Sequence, residues 1–136
     1  MKFDLILHDG KIMNGVDEFP QNFDIGIKND KIISVGDLKN EASTKKINCK
    51  NLIVLPGVID TQVHFREPGL THKEDIECAS KAAVMGGVTA FCEMPNTNPL
   101  TTSEKELNWK LLKAKNVSWC DYCLLYTSPS PRDRVL

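Results

Sequence analysis

At Pro56-Gly57 the chain changes rhythm, and that change restricts the folds open to it. Residues 3 to 55 hold short apolar segments separated by turn signals. Leu5-Ile6-Leu7-His8 reads as a strand, Asp9-Gly10 as a two-residue hairpin turn, and Lys11-Ile12-Met13 as the returning strand. A second hairpin is predicted from Phe23 to Lys28, turning at Asn29-Asp30 and returning through Lys31 to Val35. Its first arm alternates apolar and polar residues, as a half-buried strand does. Gly36-Asp37 and Asn40 to Lys45 read as loops, Lys46 to Cys49 as a short strand, and Leu52 to Leu55 as an apolar, β-prone stretch. A few hairpins need partner strands to be stable, so residues 1–55 are expected to form the N-terminal part of a β-sandwich domain.

After Gly57 the pattern becomes strand then helix. Val58 to His64 reads as a strand and Arg66 to Leu70 as a loop. Thr71 and Glu74 have the spacing of a capping box that opens a helix. The helix should reach about Met85, with Ile76, Ala79 and Ala83 on one face, and end at Gly86-Gly87. Val88 to Glu93 is a second strand. Ser103 and Glu106 repeat the capping spacing, Leu107, Leu111 and Ala114 mark an apolar helix face, and Val117 to Tyr122 begins a third strand. Alternation of this kind implies parallel strands joined by right-handed crossovers. A (β/α)8 barrel takes roughly 250 residues. Residues 56–122 therefore account for its first units only.

The strand after Gly57 carries the chemistry. Asp60, Gln62, His64 and Arg66 recur with period two, and in a strand such residues share one side. A structural strand would place apolar groups on its buried face. An acid, an amide, an imidazole and a guanidinium together indicate a site. In a barrel the site lies at the C-terminal ends of the strands. Gln62 to Arg66 closes the first strand and Glu93 to Asn98 the second, so both polar segments fall at the same end. Imidazole makes His64 the best metal-ligand candidate. Cys49, Cys78 and Cys92 lack metal-type spacing and read as small core residues. His8 reads as structural, and His72 as a solvated residue of the first helical turn.

Composition works by exclusion. The chain has 136 residues, 41% hydrophobic and 26% charged, with 17 basic against 18 acidic side chains and a net charge of −1. That balance offers no basic surface for nucleic acid. No apolar run is long enough to span a bilayer. The N-terminal residues lack a signal-peptide core, and unpaired thiols suit a reducing compartment, so a cytoplasmic protein is expected.

The segment PGVIDTQVHFREPG (residues 56–69), with GGVT at 86–89 and MPNTNP at 94–99, resembles the cyclic amidohydrolases. Within them the chain is most similar to dihydroorotases of the long type found in multifunctional complexes, over residues 1 to 122. The resemblance implies a TIM-like metal-dependent hydrolase barrel preceded by part of a composite β-sandwich, and zinc or another divalent metal. It implies His64 as a metal ligand, Asp60 as support for a ligand, and Arg66 with Asn96 as the pair that grips a substrate carboxylate. The family's other strand histidine is Gln62 here. Its amide oxygen is a neutral, harder donor, which leaves open one metal, a different metal or none. The remaining ligands and the proton-shuttling aspartate come from later strands in the family, so no catalytic residue is assigned in this stretch. The implied reaction is reversible conversion of N-carbamoyl-aspartate to dihydroorotate in pyrimidine biosynthesis, by an enzyme that is homo-oligomeric at full length. Two alternatives are a non-catalytic homologue that partners aspartate carbamoyltransferase, suggested by Gln62, and a hydrolase of another cyclic amide, disfavoured by Arg66.

Composition turns Ser/Pro-rich after Tyr122. Cys123 to Asp133 is one translation of a transposon mosaic end joined to a sequencing adapter, so residues 123–136 are expected to be an appended, irregular tail rather than part of the fold. On that reading Trp119-Cys120-Asp121-Tyr122-Cys123 only imitates a redox dithiol.

Overall fold

The computed structural model describes residues 2–126. The chain divides into two compact units, Met1–Pro56 and Gly57–Leu136.

The first unit is all β. Its strands are β1 (Phe3–His8), β2 (Lys11–Ile12), β3 (Asp24–Lys28), β4 (Lys31–Gly36), β5 (Ser43–Asn48) and β6 (Ile53–Val54). One sheet has the order β4-β3-β1-β5, and β2 pairs with β6 in a second. The Asn29-Asp30 hairpin forms as expected. Both turn residues have positive φ, 47° and 58°, the backbone that a tight hairpin between twisted strands requires. The Asp9-Gly10 hairpin does not form. β1 is flanked by β3, antiparallel, and β5, parallel, so neither edge is left for β2. The turn instead carries the chain from one sheet to the other. Asp24 ties the crossing down: its carboxylate is buried and accepts the amides of Asp9, at 3.1 Å, and Leu38, at 3.0 Å. β5 also starts earlier than expected, at Ser43 rather than Lys46. Phe3, Ile6 and Leu38 form the small core. Gly26 lies flat against the Phe3 ring, where a Cβ would come within 2.4 Å of the ring.

The second unit runs β7 (Val58–Val63), α1 (Ile76–Met85), β8 (Val88–Glu93), α2 (Glu104–Val117) and β9 (Asp121–Leu124). All three strands are parallel, in the order β7-β8-β9. Phe65, Ile76, Ala79, Phe91 and Ala114 form the core between sheet and helices, with Phe65 and Phe91 ring centroids 4.6 Å apart. Among the described residues no helix is long and apolar enough to cross a membrane.

Four expectations need correction here. Helix α1 begins at Ile76, not after Thr71. Asp75 is its N-cap and accepts the amide of Cys78 at 2.8 Å, which leaves residues 71–73 as turn and His72 ahead of the helix. The buried face of α2 is not Leu107-Leu111-Ala114. Leu111 is exposed, and the buried residues are Lys110 and Ala114. A lysine in the buried stripe escapes any reading of hydrophobic periodicity. Cys78 is exposed rather than a core residue. Finally, the third strand comes later than Val117 and runs past Tyr122. Cys123 and Leu124 pair in parallel with Cys92 and Glu93, and the Leu125 amide donates to the Glu93 carbonyl at 2.9 Å. The free edge of β8 offers backbone groups to any extended segment, and Cys-Leu-Leu is apolar enough to accept them. The irregular-tail expectation is thus contradicted from residue 123 to 125, and residues 127–136 lie outside those described. Cys120 precedes β9 and Cys123 lies in it, so neither thiol sits at a helix N-terminus.

Candidate active site

Two loops meet at the C-terminal ends of β7 and β8. The Met94 amide donates to the Val63 carbonyl at 3.0 Å and the Asn98 amide to the Pro68 carbonyl at 3.1 Å. Gly69 makes the second approach possible. Its φ is +81°, and a Cβ there would fall 1.9 Å from the Asn98 carbonyl oxygen. The Asn96 loop is tied internally as well. The Thr101 amide donates to the Pro95 carbonyl at 2.9 Å, and the Thr97 hydroxyl donates to the Pro99 carbonyl at 2.9 Å.

The stitched loops bring His64 and Asn96 together, with His64 Nδ1 2.9 Å from Asn96 Oδ1. An amide oxygen can only accept, so Nδ1–H donates and the ring's second nitrogen, Nε2, keeps its lone pair. Asn96 retains its N–H donors. Asp60 does not touch His64. A shift of the β7–β8 register between Asp60 and Val63 turns its carboxylate onto the Gln62 amide, at 3.0 Å, so its support falls on the Gln62 backbone. The Gln62 side chain is exposed.

Arg66 has a φ of 64°, a left-handed conformation that costs a non-glycine residue about 1–3 kcal/mol and recurs at functional sites. Its guanidinium forms no ion pair among the described residues. Two acids of the following segment are engaged elsewhere: Asp75 caps α1, and Glu67 accepts the Ile76 amide at 3.0 Å and the Lys113 ammonium at 3.1 Å. Asp60, His64 and Arg66 line a depression of about 480 Å³ together with Lys73 and Glu74.

Sequence reasoning passed over two residues that support this region. Glu93 and Lys110 have fully buried side chains and pair at 3.3 Å. Glu93 Oε2 also accepts the amide of Phe65, between His64 and Arg66, at 2.8 Å. Burial pushes the Glu93 carboxyl above the ordinary carboxylate range, and Lys110 and the Phe65 amide oppose that rise. Burial likewise holds the Lys110 ammonium below its usual value, against the pull of Glu93. No local signal marks the pair, because a lysine on a helix reads as solvated until its partners are in place.

As a metal centre the arrangement is partial. His64 Nε2 is a free nitrogen donor and the Gln62 amide oxygen stands two residues before it. Among the described residues no three His, Cys, Asp or Glu side chains cluster closely enough to hold an ion. The residues present fit one side of a metal site.

Comparison with known proteins identifies the family and the fold. The dihydro-orotase-like family model matches residues 51–126. The chain is 40% identical over 116 residues to a dihydroorotase of Aquifex aeolicus, covering 85% of this chain and 28% of the relative. It is 41% identical over 120 residues to a dihydroorotase of Pyrococcus abyssi, covering 87% and 27%. Among solved structures it superposes on an L-hydantoinase (dihydropyrimidinase) from Arthrobacter aurescens with a TM-score of 0.82 at 27% identity, over 90% of this chain and 27% of that one. A D-hydantoinase (dihydropyrimidinase) from Thermus sp. gives 0.73 at 28%, over 88% and 26%. The chain thus spans little more than a quarter of its relatives' length. Its fold is the opening of a TIM-like barrel preceded in sequence by part of a β-sandwich.

Proposed function

The chain belongs to the dihydro-orotase-like family, and we propose that the protein containing it hydrolyses a cyclic amide whose ring bears a carboxylate. Dihydroorotate is the substrate that fits best. It opens to N-carbamoyl-aspartate, and the reverse direction closes the ring with loss of water, a step of pyrimidine biosynthesis.

The observation that carries this reading is the Arg66 guanidinium, free of any ion pair among the described residues and lining one depression with His64, whose ring holds Asn96. A guanidinium binds a carboxylate through two parallel N–H bonds, and the remaining Asn96 N–H groups can complete the clamp. Hydantoins and dihydropyrimidines bear no ring carboxylate, so this cation argues against them despite the fold shared with hydantoinases.

His64, and Gln62 with weaker affinity, would hold a divalent metal together with ligands from elsewhere in the full-length protein. Zinc is the expected ion, with oxygen-accepting metals favoured relatively by Gln62. When bound, the metal supplies Lewis-acid polarisation of the ring carbonyl. The residues of this chain do the rest of the local work. Asn96 orients the imidazole, and Arg66 fixes the ring by its carboxylate so that one amide bond faces the metal side. Hydrolysis of dihydroorotate by the metal-supplemented full-length protein, with no turnover of hydantoin, tests the reading. The reverse preference would reject it.

Gln62 favours a second reading, a non-catalytic homologue serving as a structural partner of aspartate carbamoyltransferase. Absence of turnover together with co-purification of that enzyme would select it.

A further inference from the structure

Helix α2 presents two lysines one turn apart, and each reaches a carboxylate that holds the β7 loop. Lys113 binds Glu67, which in turn accepts the Ile76 amide at the start of α1. Lys110 lies deeper. Its ammonium is 3.3 Å from Glu93, 3.0 Å from the Met94 carbonyl and 3.5 Å from the Thr101 hydroxyl. Through Glu93 it reaches the Phe65 amide, and through Met94 it reaches the base of the Asn96 loop.

The placement is informative because a buried ion pair is a poor stabiliser. Removing two charges from water costs several kcal/mol per ion, and a well-packed apolar pair of similar volume is often as stable or more so. Position 110 lies on the buried face of α2 with Ala114, which belongs to the core of Phe65, Ile76, Ala79 and Phe91, and an apolar side chain is the ordinary occupant of such a face. What an apolar pair could not supply is an acceptor for the Phe65 N–H or a donor for the Met94 carbonyl. The Phe65 ring is fixed against Phe91 on the helix side. Its amide is fixed by Glu93, so the backbone from His64 to Arg66 is held from two directions.

We propose that Glu93 and Lys110 are positioning residues for the site: Glu93 sets the backbone from which His64 and Arg66 project, and Lys110 locks Glu93 and the Asn96 loop to the same helix. The inference rests on the reading of His64 and Arg66 given above.

Two double variants of the full-length protein, supplemented with zinc, separate positioning from bulk stability. E93L/K110M replaces the pair by apolar groups and removes the acceptor for Phe65. E93Q/K110M removes both charges but keeps an acceptor. Amide hydrogen exchange at Phe65, kcat and KM for dihydroorotate, and thermal midpoint are measured on each. Both variants should keep a cooperative thermal transition. Exchange at Phe65 should be at least tenfold faster in E93L/K110M, with KM raised tenfold or more, and E93Q/K110M should recover most of both. Wild-type exchange and kinetics in E93L/K110M would overturn the proposal, as would equal impairment of the two variants. If E93L/K110M does not fold, Glu93→Asp takes its place, since it keeps the charge but draws the carboxylate back from Phe65; wild-type exchange there would overturn the proposal. If the wild type itself hydrolyses no dihydroorotate, the activity reading fails separately, and exchange at Phe65 alone decides the positioning role.

Discussion

His64 and Asn96, thirty-two residues apart, meet through Nδ1 and Oδ1 at 2.9 Å. The contact joins the ends of two parallel strands and takes up Nδ1, leaving Nε2 as the imidazole nitrogen open to a ligand role. Partners of this type orient a metal-ligating ring, and their loss typically costs 10–100-fold in metal affinity. Asn96→Ala in the full-length protein is therefore expected to weaken divalent-metal binding by about that factor. Chelator competition measures it. An unchanged dissociation constant would show that the contact has no part in ligation.

Arg66→Lys tests the carboxylate clamp. An ammonium keeps the charge but not the planar fork. Losing a charge-assisted hydrogen bond costs on the order of 1.5–3 kcal/mol, or roughly ten- to a hundredfold in affinity. The loss should appear as a raised KM for dihydroorotate. Unchanged kinetics would remove Arg66 from the site.

Gln62→His separates enzyme from scaffold. If Gln62 alone weakens the centre, imidazole at that position should raise zinc occupancy and turnover together. If the protein is adapted to Gln62, zinc content and activity should stay the same or fall. Metal analysis and turnover on both proteins distinguish these results, and no metal and no turnover in either would favour the structural-partner reading.

Lys110→Met should be strongly destabilising, by about 3–5 kcal/mol, because it strands a buried carboxylate. The effect should depend on pH. Burial raises the Glu93 carboxyl, and the substitution removes the lysine that opposes this rise. A carboxyl whose folded pKa lies above its unfolded value, about 4.3, favours folding below that value. It loses this contribution as pH rises through the folded pKa. Chemical denaturation should therefore find the variant's deficit smaller at pH 5 than at pH 8. A deficit independent of pH would mean that Glu93 does not carry the penalty.

Local patterns were enough for much of this protein. The Asn29-Asp30 turn, the Ile76, Ala79 and Ala83 face of α1, the β8 strand and the parallel crossovers all follow from period, turn chemistry and chirality, which act over a few residues. The same rules put His64 and Asn96 at one end of the sheet. Tertiary structure decided what depends on partners far apart in sequence. β1 chose β3 and β5 over the adjacent β2, because strand pairing is settled by which edges are free. Helix α1 took Asp75 rather than Thr71 as its cap because the helix starts only where Ile76 can be buried and its amide can reach Glu67. Lys110 could be placed in a core only once Glu93, Met94 and Thr101 stood around it. Whether a buried charge is tolerable is a property of its surroundings, which a one-dimensional pattern of hydrophobicity does not contain.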